Sequence, residues 1–356
     1  IQFPKLLSEK ELKIFIILSA IFLVSSITLI HGGYTAFTKV SPARGGGITE
    51  GVVGHPRLIN PIYAAANDVD RDLTQLIYSG LLRYDNEGNL IPSLAHDFSI
   101  EEGGRVFEFN LREGIKWHDG ESFSADDVVF TIETIQDPRY KSPIRANWVG
   151  VNVEKISDLK LRLRLKEPYA PFMERLTLQI LPKHIWKEIG AEQFSLSTAN
   201  IQAIGTGPYK IHAIGQERSG AITKIELKRN KNYHLDSPFL NEITFRFFST
   251  EEELIGEVKK GSIQTFSVSS IEKINGLAHS SLAAHPFSLP RYFAVFFNTD
   301  EGIAAKERVR HALALLLDKE TLVQSLSDEH AHIVSSPLRP DLFNLPEVPA
   351  TAKDEA

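Results

Sequence analysis

Residues 14–30, IFIILSAIFLVSSITLI, are seventeen consecutive positions without a charge. As a helix this run reaches about 25 Å, a little short of a hydrocarbon core about 30 Å thick. No charge follows until Lys39, so the stretch extends through HGGYTAFT, with Tyr34 and Phe37 placed for an interface. Nearly every face is apolar, unlike the single stripe of a surface helix. Three fates remain open: a retained membrane anchor, a cleaved secretory signal, or a buried core helix. The run exceeds a usual signal core and no small-x-small cleavage site follows it, so an anchor is expected. Lys5, Lys10 and Lys13 outnumber Glu9 and Glu11 ahead of it, which places the amino terminus in the cytoplasm. Residues 39–47, KVSPARGGG, read as a linker. The globular part then starts near Ile48, outside the cytoplasmic membrane.

The rest of the 356 residues suffices for two or three domains. With 42% apolar and 24% charged residues the chain has a globular balance, not a disordered one. A net charge of −6 without a long basic run disfavours nucleic acid as a partner. The chain has no cysteine, which removes disulfides, thiolate metal sites, cysteine nucleophiles and a lipidated cysteine tether.

Period-two patterns predict strands over 105–112 (Phe107, Phe109 and Leu111 inward) and 159–165 (alternate leucines inward), and 243–248 and 292–298 read as two further strands. Thr250 and Glu253 fit a helix-opening capping box, with Gly261 as the stop. A second helical face joins Val309, Ala312, Leu313, Leu316 and Leu317, after which Asp318 can cap another turn. Strands scattered among helices without strict alternation predict an α/β or α+β protein of more than one lobe.

The stretch LREGIKWHDGESFSADDVVF (111–130) concentrates one histidine and three aspartates, a possible metal or acid/base site. Each polar residue also has a structural role open to it. HDG has the form of a turn, Asp supplying a side-chain acceptor and Gly a positive φ. Ser124 and Asp127 match a helix start, where Asp126 and Asp127 suit the positive end of the dipole. Structure is the preferred reading. GTGPYKI (205–211) lacks the Gly-Lys-Ser/Thr ending of a phosphate loop and reads as a tight turn into a strand. Tyr63, Trp148 and Tyr292 could line a cleft or belong to the core.

Several blocks, in order, resemble the peptide/nickel-type periplasmic solute-binding proteins that serve ABC importers. They are INPIYAAANDVDRDLTQLIYSGLLRYDNEGNLIPSLAHDFSI, FEFNLREGIKWHDGESFSADDVVFTIETI, LKEPYAPFMERLTLQILPKHIW, IGTGPYKI, LKRNKNYHLDSPFLNEITFRFF and YFAVFFNTDEGIAAKERVRHALALLLDKETLV. The likeness covers roughly residues 48–340. It implies an α/β, two-lobed periplasmic-binding-protein fold with an extra domain, in which the HDG block is scaffold. Expected boundaries are 1–38 for a cytoplasmic stub and membrane anchor or signal, then 39–47 for the linker. Lobe I would take 48–61 and 166–287, the extra domain 62–165, and an incomplete lobe II 288–356.

The resemblance further implies a binding protein, not an enzyme, that captures a solute by hinge closure and passes it to an ABC permease. It implies no cofactor and no metal site, and a monomer. Peptide is the expected ligand, with nickel chelates, haem and oligosaccharides as alternatives. The ligand-binding residues expected from the available part are Tyr63, Asn67, Asp68, Trp148 and Tyr292. Replacing Tyr63 by Ala is expected to weaken binding with little loss of stability. Two departures stand out. The chain stops at Ala356, before the part that usually clamps a peptide's termini, so it reads as a piece of a longer protein. An apolar helix also replaces the usual lipidated cysteine. Rival functions are a membrane-anchored sensor or interaction module on the same fold, and a hydrolase or metal enzyme using His118 and Asp119.

Overall fold

A computed structural model of the chain describes residues 8–38, 41–268 and 293–325, with positions 283, 285, 333 and 334. Its contacts divide into two compact units, Ile1–Ser267 and Val268–Ala356.

The apolar run lies within α1 (Glu9–Phe37), whose start is closed by a Ser8/Glu11 capping box. None of its residues is buried, and Phe22, Leu29 and Ile30 are more than 70% exposed. A core helix would bury these side chains, so that reading of the run is excluded. Among the described residues α1 is the one helix long and apolar enough to cross a membrane.

The first unit contains two principal sheets. The five-stranded sheet has the order β11-β1-β10-β9-β8, from β1 (Gly47–Val53), β8 (Tyr209–Gln216), β9 (Ile222–Arg229), β10 (Glu242–Phe248) and β11 (Thr265–Phe266). β1 runs parallel to both β10 and β11, whereas β8, β9 and β10 pair antiparallel. Alternation in β10 buries Ile243, Phe245 and Phe247, as the period-two pattern requires. The four-stranded antiparallel sheet has the order β4-β5-β7-β6, from β4 (Ala95–Glu101), β5 (Val106–Leu111), β6 (Asn152–Ser157) and β7 (Lys160–Arg164). Phe107, Phe109, Leu161 and Leu163 fill its inner face. On the outer face Glu108 accepts from Arg162 and pairs with Lys160 at 2.8 Å. Pairs on a solvated face such as this contribute little beyond register. A short hairpin of β2 (Leu82–Tyr84) and β3 (Leu90–Pro92) stands apart from both sheets.

Helices α2 (Asp68–Ile77) and α3 (Ala125–Gln136), three single turns α4 (Phe172–Arg175), α5 (Lys183–Trp186) and α6 (Ala191–Phe194), and α7 (Glu251–Lys259) complete this unit. One continuous apolar cluster runs from Ile59 to Phe247 and includes residues of both principal sheets. At α7 the Thr250 side chain accepts from Glu253 N, but the Glu253 carboxylate accepts from Ser249 N and not from the cap residue. Gly261 follows with φ +75°, the left-handed stop anticipated for it.

The second unit shows α8 (Glu307–Leu316) and α9 (Lys319–Ser325). Asp318 Oδ1 caps the latter by accepting from Thr321 N at 3.0 Å. Leu313, Leu316, Leu317 and Leu322 are exposed. The strand expected over 292–298 does not form in its described portion: residues 293–298 join no ladder, and Phe293 is fully exposed. An apolar run alone cannot make a strand, because its amides need a neighbouring chain, and residues 293–298 pair with no described segment. Tyr292 lies outside the described residues.

The GTG turn is fixed by close packing. A Cβ on Gly205 would stand 1.9 Å from Ile77 O, and one on Gly207 2.5 Å from Ile77 C. Gly207 N already donates to Ile77 O at 2.8 Å, so this amide is committed to the end of α2. Gly207→Ala should lower stability by at least about 2 kcal/mol, as overpacking of backbone against backbone does. Gly256→Ala, within α7 and with no atom near the new methyl, should be neutral or stabilising. Urea titration of the two variants checks the contrast.

Candidate functional site

Parallel strands β1, β10 and β11 end on one edge of the large sheet, and in open α/β sheets ligands collect outside such carboxyl ends. The chain leaving β1 turns at Gly54 (φ +107°) and runs through His55 and Arg57 to α2. Polar bonds hold this segment. His55 Nδ1 donates to Ile222 O at 3.0 Å, and its Nε2 accepts from Ser249 Oγ at 3.3 Å. Buried Asp70 accepts from Arg57 N and Leu58 N at 2.7 and 3.0 Å. Burial still raises the pKa of Asp70 above the usual carboxylate value, against the pull of those two amides. Asn60, fully buried, bonds the Asn200 side chain at 2.9 Å.

The expected site residues fall into different roles. Tyr63 is only 9% exposed; its hydroxyl donates to Tyr140 O at 2.8 Å and its ring meets Phe194 edge-on. Burial pushes its pKa up to about 12. The expectation that Tyr63→Ala would spare stability is therefore corrected: removing this buried ring should cost roughly 3–5 kcal/mol. Asn67 caps α2 by accepting from Val69 N at 2.8 Å, while its amide donates to His55 O. Asp68 opens α2 on the exposed side and pairs with Arg71 at 2.6 Å. Trp148 is 3% exposed and packs edge-on against Phe172. Tyr63, Asn67 and Asp68 thus share one edge, whereas Trp148 stands at the other sheet, on the four-stranded side of the core. The exposed positions beside Asp68 are Ala65 and Ala66, small residues that leave room above the start of α2. His55 and Arg57 belong to the same edge and were missed; a Gly directly after a strand was the available signal. Two shallow depressions of about 360 and 240 Å³ lie elsewhere, around Leu196 and around Tyr169.

The HDG block is scaffold in detail. Gly120 N donates to Trp117 O at 2.9 Å with Gly120 at φ +101°, and Asp119 Oδ1 accepts from Glu121 N. Asp119 Oδ2 also meets His184 Nε2 at 2.8 Å. Ser124 Oγ accepts from Asp126 N, and Asp127 accepts from Ser124 N and Lys183 N, each at 2.9 Å. Asp126 is held by Lys155 and Lys183, which keep its pKa below the usual value. His118 bonds only backbone: Nε2 donates to Gly207 O at 3.1 Å and Nδ1 accepts from Gly205 N at 3.2 Å. Among the described residues no three His, Asp or Glu side chains converge as a metal site.

The model of bacterial extracellular solute-binding proteins, family 5 middle, matches residues 89–355. The chain belongs to that family. It is 26% identical over 310 residues to the oligopeptide-binding protein AppA of Bacillus subtilis, covering 86% of this chain and 56% of that protein. A putative ABC transporter peptide-binding protein of Brucella ovis is 26% identical over 79% of the chain and 52% of its own length. Among solved structures, NikZ of Campylobacter jejuni with Ni(L-His) aligns with a TM-score of 0.71 at 29% identity, covering 82% of this chain and 57% of NikZ. AppA with a nonapeptide aligns with a TM-score of 0.71 at 25% identity, over 87% and 62%. The chain thus spans little more than half the length of these relatives. The mixed α/β fold expected from the sequence is the fold of this family.

His118 gives the block a measurable pH dependence. Desolvation first, then Lys210, lower its pKa from 6.5 to about 4, against the Gly207 bond and Asp119, which raise it. The unfolded chain takes up this proton near pH 6.5, before the folded one does. The stabilisation is therefore complete above that pH and is lost as pH falls towards 4. The loss amounts to roughly 3 kcal/mol. His118→Asn should be less stable at pH 7 and should lose less between pH 7 and 4.5 than the parent. His234, likewise lowered to about 4, is common to both proteins and cancels in the comparison of urea midpoints.

Proposed function

We propose that this chain is the substrate-binding component of an ABC importer, capturing peptides outside the cytoplasmic membrane and delivering them to a permease. Family membership carries the reading, together with the peptide-binding character stated for AppA and the Brucella protein. The lobe assignment follows it. Residues 48–61 and 166–287 would form lobe I, which agrees with β1 sharing a sheet with β8 to β11. Residues 62–165 would form the extra domain, which agrees with β4 to β7 forming a sheet of their own. Residues 288–356 would begin lobe II. The chain acts as a monomer, with α1 retained as an anchor and the globular part extracytoplasmic.

On this reading Asp68, Ala65 and Ala66 meet the ligand at the carboxyl edge of β1. Tyr63 and Asn67 hold that edge in place and Trp148 supports the neighbouring sheet, so these three act through position. Tyr292 is proposed as a further aromatic ligand contact. Peptide main chain is met by backbone groups and bridging water, which gives affinity without strong sequence preference. Ligand shifts an open–closed equilibrium by binding the closed state better.

Calorimetric titration of the protein carrying this chain, with mixed short peptides and separately with Ni(L-His), tests the ligand class. Saturable peptide binding is expected, with Asp68→Ala about tenfold weaker, or ~1.4 kcal/mol. Binding of the nickel chelate alone would move the protein to that class, and binding of neither would end the solute-capture reading. Mass determination of the membrane-extracted protein should find Lys5 to Lys13 still attached; their loss would make α1 a signal.

A further inference from the structure

The end of the large sheet opposite the ligand edge carries an unusual charge arrangement. β1, β8 and β10 begin there and β9 ends there. Lys210 and Lys228 are directly opposite each other across β8 and β9, both exposed. Like charges placed so are destabilising. Lys228 Nζ also lies 2.7 Å from His212 Nε2, which adds a proton acceptor but no negative charge. Exposed Lys231 follows β9, and Arg44 lies over the half-exposed ring of Phe239 at 5.8 Å. The acidic residues at this end are Glu242, opposite Lys228, exposed Asp236, and Glu226, which is paired with Lys224 and lies within electrostatic reach of His212 and Lys228.

The tether arrives at this same end. Gly45 N donates to Phe239 O at 2.8 Å and Asn241 N to Gly46 O at 2.9 Å, so the chain is fastened to the sheet from Gly45 onward. Only residues 38–44 separate that point from the end of α1 at Phe37. Fully extended, such a segment spans at most about 28 Å. With α1 in a bilayer, the Phe239 corner cannot leave the headgroup region by more than this distance.

We infer that this basic corner, formed by Arg44, Lys210, Lys228, Lys231 and Phe239, docks on the anionic phospholipid headgroups of the membrane that holds α1. The inference rests on α1 being a retained anchor. Docking here leaves the Asp68 edge, at the far ends of β1 and β10, turned away from the lipid surface. A basic side chain near an anionic surface favours binding by about fivefold, and the tether supplies a high local concentration. Phe239 adds a ring that can enter the interface.

The 356 residues contain no cysteine, and any elsewhere in the protein is replaced by serine before labelling. Full-length Asn232→Cys and Ala65→Cys proteins, each with a single environment-sensitive dye, are reconstituted into vesicles bearing a headgroup quencher. The vesicles are phosphatidylcholine alone or mixed with phosphatidylglycerol. The dye at position 232 should be quenched several-fold more in the anionic vesicles, and the one at 65 should change little. Lys210→Gln, Lys228→Gln and Lys231→Gln should each lower the docked-to-free ratio roughly fivefold, and added salt should do the same. Equal quenching at 232 in both lipids, or lysine variants that aggregate without altering it, would overturn docking and leave these lysines as guards of the edge strand. Stronger quenching at 65 would overturn the orientation. Protein that fails to co-sediment even with phosphatidylcholine vesicles would refute the anchor reading itself, and the docking with it.

Discussion

The first unit depends on one backbone junction, where His118, Gly205, Gly207 and Ile77 meet. His118 N donates to Gly205 O at 2.9 Å, and its ring bridges Gly205 N and Gly207 O. Gly207 N in turn closes on Ile77 O. Three segments far apart in sequence are joined there: the turn after β5, the entry to β8, and the end of α2. Each side of the junction excludes alternatives. A methyl at either glycine collides with backbone, and a charged imidazole would lose its amide donor. A buried polar junction of this kind fixes geometry because any partly satisfied version of it is costly.

That junction accounts for the order of the edge at the start of α2. Because the end of α2 is locked, its beginning is a fixed platform, and Asn67 and Asp70 tie the incoming segment to it. Ser142 Oγ donates to Ile62 O at 2.8 Å, which binds the same segment to the chain after α3. The exposed positions at the edge are then few and small. Preorganisation of this kind spares a ligand the entropy of ordering a loop, which is where affinity is commonly lost.

Sequence pattern revealed β5, β7 and β10 because each has neighbours and one buried face. Residues 105–112 and 159–165 alternate cleanly, and β5 pairs directly with β7 within that pattern. The Ser124 cap was equally plain, since all its partners lie within three residues. What stayed hidden is long-range. Nothing near His118 in sequence announces Gly205 and Gly207, so it could be read as a turn residue but not as the bridge between segments. Tyr63 and Trp148 could not be separated from cleft aromatics, because burial of an isolated ring depends on partners such as Tyr140, Phe172 and Phe194. The run at 293–298 failed for the opposite reason: it is apolar through Phe297, and among the described residues it has no partner strand.

The parallel pairing of β1 with β10 and β11 gives the molecule its polarity. Parallel strands put all their starts at one end and all their finishes at the other, so the chain that enters from α1 and the edge that carries Asp68 lie at opposite ends of β1. Seven residues of β1 separate the two by about 23 Å. Charge follows the same axis. The first turns of α2 and α7 carry Asp68, Asp70, Glu251, Glu252 and Glu253 at the far end, where acidic residues complement the helix dipoles. Lys210 of β8 and Lys228 of β9 occupy the near end, while Lys224 of β9 stands at the far end, paired with Glu226. An antiparallel β1 would have brought the segment from α1 in beside Asp68, and the proposed anchor and the proposed ligand edge could not then be separated.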